Sequence, residues 1–241
     1  MDPRRASLAK EANELTLSVK EGGATAAQKQ RLLELLIGLE RKQEAIRLLE
    51  PMADQEPDRW SLRLVLAELR RNQQDLAGAE RELRLILNRQ SDQVEALQLM
   101  SLLQLEQGRG REAEAAVIRA YAKATKPTIQ PHGLSLGLLL AEVQQRRKQP
   151  EAAQATYLRL AGDYPSDRRP LLALALYLHG QGNLSGAQEA LAQARLRTAT
   201  SDQPDAVLDR VAAAWGLETV KNSAVTGSAL QQAGTKDDQK E

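Results

Sequence analysis

The chain has 241 residues, 42% of them apolar and 27% charged, and its only aromatic residues are two Trp and four Tyr. Leu and Ala supply most of the apolar residues, and because both favour helices while strands favour β-branched and aromatic residues, the composition predicts an all-α protein and argues against a β-sandwich or barrel. The net charge of +1 gives no overall field to attract a polyanion or an anionic membrane, and the lack of Cys excludes disulfides and Cys-based metal sites.

The first predicted element is an N-terminal helix over residues 4–20, which the glycines at 22–23 end. Residues 1–8 have no apolar run behind the arginines at 4 and 5 and do not form a secretory signal, so we expect a cytoplasmic protein. A location peripheral to a membrane, or outside the cell, is the alternative if an N-terminal segment has been removed. The longest apolar runs are much shorter than the roughly 20 residues that a membrane-spanning helix needs, so no membrane span is expected.

A pattern of small and apolar residues then repeats at intervals of 34 residues. It is anchored on an alanine in each repeat, and after the third repeat the register shifts by six residues; the anchor alanines are Ala45, Ala79, Ala113, Ala153 and Ala187. Four further columns keep a constant spacing from the anchors and hold Leu32, Leu66, Met100, Leu140 and Leu174; Leu33, Ala67, Ser101, Ala141 and Ala175; Leu49, Leu83, Val117, Tyr157 and Leu191; and Met52, Ile86, Ala120, Leu160 and Ala194. The pattern predicts that these columns form the core.

A polar turn divides each repeat into two apolar stretches with helical spacing, so each repeat is predicted to be a helical hairpin. The predicted array covers 24–201, following an N-terminal segment at 1–23, and its repeats are 26–59, 60–93, 94–127, 134–167 and 168–201, with an insertion at 128–133. Residues 202–216 are predicted to form a C-terminal capping helix. The polar segment 217–241 is predicted to be disordered.

Five helical hairpins in one register, with small and aliphatic residues at these spacings, resemble the tetratricopeptide repeat (TPR) family. The resemblance covers residues 26–201, although the aromatic residues common in this family are largely replaced and Tyr157 is the main one kept. It implies a right-handed α-solenoid with flanking N- and C-terminal helices. The Leu-, Gln- and Arg-rich, Phe-free composition is similar to that of bacterial members.

The resemblance also implies a protein-binding groove on the concave surface, lined mainly by the first helix of each hairpin. The positions carried over from the family are Leu64, Glu68, Arg71, Gln98, Leu102, Leu138, Glu142, Gln145, Leu172, Leu176 and His179, with Gln30, Glu34, Ile37 and Leu105 beside them. These apolar and acidic positions favour a partner peptide or helix with an apolar ridge and some basic residues. The alternative is that neighbouring helices or the C-terminal helix cover Leu138, Leu172 and Leu176.

Chaperone-binding TPR domains hold a carboxylate with Lys, Arg and Asn, and this chain has Gln30, Glu34, Leu64, Gln98 and Leu102 at the corresponding places. The acidic C-terminal tails of chaperones are therefore disfavoured as partners. Single-stranded RNA, which related helical repeats bind, is also disfavoured, because the predicted groove carries Leu and Glu and the net charge is near zero.

The sequence offers little for catalysis. Its two histidines, His132 and His179, are too few for a metal cage, and the glycine-rich strings at 108–110 and 180–186 follow no predicted strand and lack the Gly-Lys-Ser/Thr of a phosphate loop. We therefore predict no catalytic residues, no metal and no cofactor. The expected function is that of a non-enzymatic scaffold or assembly factor, and the alternative is a structural solenoid that forms homo-oligomers by stacking its ends.

Overall fold

The computed structural model describes residues 3–198 and 206–216, and the regular structure within these ranges is entirely α-helical. The helices are α1 Pro3–Lys20, α2 Ala26–Gly38, α3 Lys42–Gln55, α4 Trp60–Asn72, α5 Leu76–Arg89, α6 Val94–Glu106, α7 Gly110–Thr125, α8 Gly133–Arg146, α9 Pro150–Asp163, α10 Arg169–Gly180, α11 Leu184–Thr198 and α12 Ala206–Ala214. From α2 to α11 they form five consecutive hairpins, with α1 and α12 as the flanking helices. The prediction of an all-α solenoid of helical hairpins is confirmed.

The helix boundaries follow the repeat pattern closely. Each hairpin falls within its predicted repeat, except that α8 begins at Gly133, the last residue of the predicted insertion. Residues 126–132 therefore connect α7 to α8, and the Tyr164 hydroxyl donates to the Gln130 carbonyl in this connection at 3.2 Å. The start of the predicted capping helix at 202–205 and the predicted disordered tail at 217–241 lie outside the described residues.

The core is built from the repeat columns. All five anchor alanines have no exposed surface, and every residue of the four further columns is buried. The anchor alanine lies on the second helix of its hairpin, and the residue at 33, 67, 101, 141 or 175 lies on the first. This second residue is small in four of the five repeats and Leu33 in the first, so the two backbones can approach closely. Each hairpin also packs on the next, because a single hairpin cannot bury its apolar surface alone.

The turn inside each hairpin has the same backbone geometry in all five repeats. Five residues before each anchor, the backbone enters the left-handed region, with φ between 58° and 78°, at Glu40, Gln74, Gly108, Lys148 and Gly182. The next residue then donates its N–H to the carbonyl five residues earlier, as from Arg109 to Gln104 at 2.7 Å. This is the Schellman ending of a helix, for which glycine is the favoured residue.

The second repeat also contains a buried ion-pair network. The Arg63 guanidinium donates to Glu82 at 2.8 Å, and the Arg70 guanidinium donates to Asp75 at 2.7 Å and contacts Glu50. The side chains of Arg63, Arg70 and Glu82 are at most 14% exposed. The network connects α3, α4 and α5, and so joins the first hairpin to the second.

The close approach at the anchor alanine can be tested within one helix. We expect Ala79→Leu to lower the free energy of unfolding by about 1–3 kcal/mol, because the added carbons have no space in the core. Ala77, on the exposed side of the same helix, is the matched control, and Ala77→Leu should change stability by no more than about 0.5 kcal/mol. Urea unfolding followed by circular dichroism measures both; equal effects would contradict the predicted packing.

The left-handed turn can be tested with one substitution at two glycines. Gly108→Ala should destabilise the protein by about 1–2 kcal/mol, because φ is +75° although no neighbouring atom would clash with the methyl group. Gly162 has equally open surroundings but is a helical residue of α9, so Gly162→Ala should stabilise the protein by up to about 1 kcal/mol. The unfolding temperatures of the two variants should shift in opposite directions. A shift in the same direction would contradict the predicted cost of a side chain in the left-handed turn.

Candidate protein-binding groove

The predicted groove residues lie on the first helices of four successive hairpins, α4, α6, α8 and α10. In the middle of the array these first helices touch one another directly, α4 against α6 and α6 against α8, more extensively than successive second helices do. The first helices therefore lie together on one side of the array. We call the surface that α4, α6, α8 and α10 form on that side the groove.

The structure leaves the predicted groove residues accessible. Glu68, Gln98 and Leu176 are exposed, the last at 49%, and the other eight are partly exposed. The apolar residues of each first helix recur every three to four positions, so they form one side that faces the core. The groove residues lie on the adjacent side and stay accessible for this reason.

A cleft of about 150 Å³ lies between α6 and α8 and brings three predicted residues together. Gln98 and Leu102 contribute from α6 and Glu142 from α8, and the remaining lining residues are Ser101, Leu105, Leu139, Val143 and Arg146. Leucine and valine side chains thus form half of the lining, and the polar groups are one carboxylate, one guanidinium, one amide and the Ser101 hydroxyl. Such a site can accept an apolar side chain and pair with a charge beside it.

Two ion pairs cross or follow the groove. The Arg71 guanidinium of α4 donates to both carboxylate oxygens of Glu106 on α6, which ties neighbouring first helices together. Arg71 and the nearby Arg146 hold the pKa of the Glu106 carboxyl below its usual value. Arg146 is itself 3.0 Å from Glu142 on the same helix.

Several predicted groove residues are already engaged with other parts of the chain. Gln145 donates to the Tyr157 hydroxyl, and burial raises the pKa of that hydroxyl to about 12. His179 stacks on Trp215, which follows α12, with ring centroids 4.3 Å apart and the planes parallel. The end of the groove is therefore partly covered by the C-terminal helix.

The leucines differ in how far they are available. Leu138 and Leu172 pack against the buried cluster formed by the last two hairpins, and Leu64 packs in the same way on the cluster of the second and third. The alternative that neighbouring helices cover these leucines thus holds in part for Leu138 and Leu172. Leu176, by contrast, is half exposed.

Sequence reasoning missed four groove residues, Glu106, Leu139, Val143 and Arg146. Glu106 and Arg146 each directly follow a position that the family pattern does assign, Leu105 and Gln145. The family pattern could therefore have indicated both residues if it had been extended by one position along each first helix. That position is acidic on α6 and basic on α8.

The remaining candidates for chemistry have structural roles. Gly108 and Gly182 form the left-handed turns described above, and the His132 imidazole lies 3.2 Å from the Asp92 carboxylate at the connection between α7 and α8. In the described ranges no group of His, Asp and Glu could hold a metal ion. None of the described helices is long and apolar enough to cross a membrane.

Comparison with known proteins identifies the repeat. A family model described as tetratricopeptide repeat matches residues 36–103. No curated protein matches the sequence.

Similar solved structures show the same fold. A tetratricopeptide repeat protein from Parabacteroides merdae is 15% identical over 88% of this chain and 82% of its own, with a TM-score of 0.54. BtubC from P. vanneervenii is 14% identical over 83% and 92%, with a TM-score of 0.53. A thermophilic TPR protein from Thermus thermophilus is 18% identical over 80% and 100%, with a TM-score of 0.51. At these identities the likeness concerns the fold.

The ion pair between Arg71 and Glu106 should make stability depend on pH. Because the pKa of Glu106 is lowered in the folded state, the pair contributes stability above the ordinary Glu pKa of about 4.3 and loses it as the pH falls through the folded value. Glu106→Gln should therefore lose less stability than the natural chain on acidification from about pH 6 to about pH 3. Thermal unfolding at low salt measures this, with Glu189→Gln, on the exposed side of α11, as the background. An unchanged pH dependence in Glu106→Gln would contradict the role of the pair.

Proposed function

Since the chain is a tetratricopeptide repeat protein, we propose that it is a non-enzymatic scaffold or assembly factor that binds a partner segment in the groove. The TPR fold supports a role in protein–protein interaction in general. The observation that carries the finer proposal is the cleft between α6 and α8, where Gln98, Leu102 and Glu142 meet around an apolar floor.

The charges of the groove indicate what kind of segment it accepts. Glu68, Glu106 and Glu142 lie on or beside the groove, and Arg71 and Arg146 neutralise two of these carboxylates. Glu68 is exposed, so the central groove is weakly acidic. A helix or extended segment with an apolar ridge and Lys or Arg beside it complements this surface, because the ridge enters the cleft and the cations approach the carboxylates.

The acidic tails of chaperones do not complement this surface. A terminal carboxylate would approach Glu68 and Glu142 and find leucines where the family's clamp has cations, so repulsion and desolvation would both oppose binding. A cytoplasmic location stays a prediction from the sequence.

Reversing one groove charge tests the proposal. The probe is a fluorescein-labelled amphipathic helical peptide with a Leu ridge flanked by Lys. We expect Glu142→Lys to weaken its binding roughly tenfold, because the substitution replaces an attraction at the cleft by a repulsion. Fluorescence anisotropy at low salt measures the affinity, and circular dichroism checks the fold.

Two controls make this test specific. Glu189→Lys changes the net charge equally but lies on α11, away from the groove, and should leave the affinity unchanged. Leu102→Ser removes apolar surface from the cleft and should weaken binding without changing the charge. If the two Glu→Lys variants weaken binding equally, the peptide responds only to net charge and the proposed site is wrong.

A further inference from the structure

A pocket outside the groove lies at the N-terminal end of the array, where α1 meets the first hairpin. Its volume is about 310 Å³, and α1, α2 and α3 supply its lining residues, which are Thr16, Val19, Lys20, Leu32, Leu36, Glu44, Arg47 and Leu48. None of the predicted groove residues is among them. We call this space the N-terminal pocket.

Three contacts place α1 against the first hairpin. Ala12 of α1 is fully buried, and the Arg31 guanidinium of α2 donates to both carboxylate oxygens of Glu11 on α1, at 2.8 and 3.1 Å. The Arg41 guanidinium, directly before α3, donates to the Asn13 side chain of α1 at 2.8 Å. The N-terminal pocket opens on the following turns of α1 and α3, so the contact between Arg41 and Asn13 closes one of its ends.

A polar side chain bridges the corresponding gap in two later repeats. Arg70 of α4 contacts Glu50 on the preceding second helix, α3, and lies 3.9 Å from Glu82 on the following one, α5. Gln144 of α8 likewise has hydrogen-bond partners on α7 and α9. The first repeat has Leu36 in this register. Because leucine has no polar group that could bridge α1 and α3, the gap stays open there as the N-terminal pocket.

Cations outnumber carboxylates in this pocket. Its one lining carboxylate, Glu44, already accepts two hydrogen bonds from Arg41, each 2.6 Å long. In the described part of the chain, no carboxylate oxygen lies within 4 Å of the Lys20 amine or the Arg47 guanidinium. The hydrogen bonds from Arg41 hold the pKa of the Glu44 carboxyl below its usual value, and Arg47 and Lys20 add to this effect from a longer distance. Three cations therefore share one carboxylate.

Other polar groups nearby do not cancel this excess. Glu50, on the next turn of α3, contacts Arg70, and Glu21, the residue after α1, is exposed and lines no part of the pocket. The Thr16 hydroxyl donates to the Ala12 carbonyl of its own helix at 2.7 Å. The amine and the guanidinium are therefore the lining groups that are left to bind an anion.

We infer that the N-terminal pocket binds an acidic segment of a partner protein, which inserts one large apolar side chain and places a carboxylate beside Lys20 and Arg47. The excess of cations next to an apolar lining is the observation that carries this inference. The leucines and Val19 line the space that the apolar side chain would enter, and its transfer from water favours binding. The carboxylate gains charge-assisted hydrogen bonds from the two cations.

Synthetic peptides test the inference on the full chain. The probes are fluorescein-labelled peptides with blocked ends, in which a central Leu, Phe or Trp is flanked by Glu on one or both sides. A matched series has Gln in place of Glu. We expect at least one Glu peptide to bind, and its Gln counterpart to bind roughly tenfold more weakly or not at all. Fluorescence anisotropy at low salt measures the affinities.

Two pairs of substitutions test the role of the cations. Lys20→Gln combined with Arg47→Gln should weaken the Glu peptide roughly tenfold or more, because both cations beside the carboxylate are lost. Lys126→Gln combined with Arg159→Gln is the matched control, since it removes two exposed bases outside the pocket and gives the same net charge. This control should leave the affinity unchanged. Circular dichroism checks the fold of each variant.

Substitutions that keep the charge locate the apolar side chain of the peptide. Thr16→Trp should fill the pocket and weaken binding, while Leu17→Trp, at an exposed position of the same helix, and Leu102→Ser in the groove should not. The inference is overturned if no Glu peptide binds, if the Gln series binds as tightly, if the two charge pairs weaken binding equally, or if Thr16→Trp has no more effect than either control. Failure of the Lys-flanked peptide to bind the groove would leave these results unaffected, so the two proposals fail separately.

Discussion

The close approach of the two helices in each hairpin, at the anchor alanine, is the constraint on which the rest of the structure depends. Ala79 and its equivalents have no exposed surface, and a small residue such as Ala67 faces them from the first helix in four of the five repeats. Because the hairpin is then thin, its larger apolar side chains, such as Leu83, are buried only when the next hairpin packs on it. The left-handed turn at each hairpin keeps the two helices in this register, and the array follows from repetition.

Charged side chains join helices as well as apolar packing does. In the second repeat, Arg63 and Arg70 of α4 pair with Glu82 on α5 of the same hairpin. The two guanidiniums also reach Asp54 and Glu50 on α3, in the hairpin before. Because a buried charge that loses its partner costs about 3–5 kcal/mol, the pair with Glu82 fixes how α4 lies on α5, and the more exposed pairs with α3 add to the contact between the hairpins.

The sequence was sufficient for the fold because the fold is periodic. A column such as Leu49, Leu83 and Val117 is recognisable without knowing which residues touch, and all of its members are buried. The same periodicity placed the groove residues on the first helices. Periodicity could not predict that Trp215 stacks on His179 or that Arg71 donates to Glu106. These contacts depend on how the helices are placed in space, which the repeat pattern does not specify.

A net charge of +1 reflects charges that are mostly paired within the fold. Outside the groove, Arg63 pairs with Asp54 and Glu82, Arg89 with Asp58, and Lys123 with Asp92. In the groove, Arg71 and Arg146 neutralise Glu106 and Glu142, while Glu68 stays exposed. The unmatched charge of the groove is therefore small. The affinity of the proposed partner segment would then come mainly from its apolar ridge, and its basic residues would set the register and the rate of association.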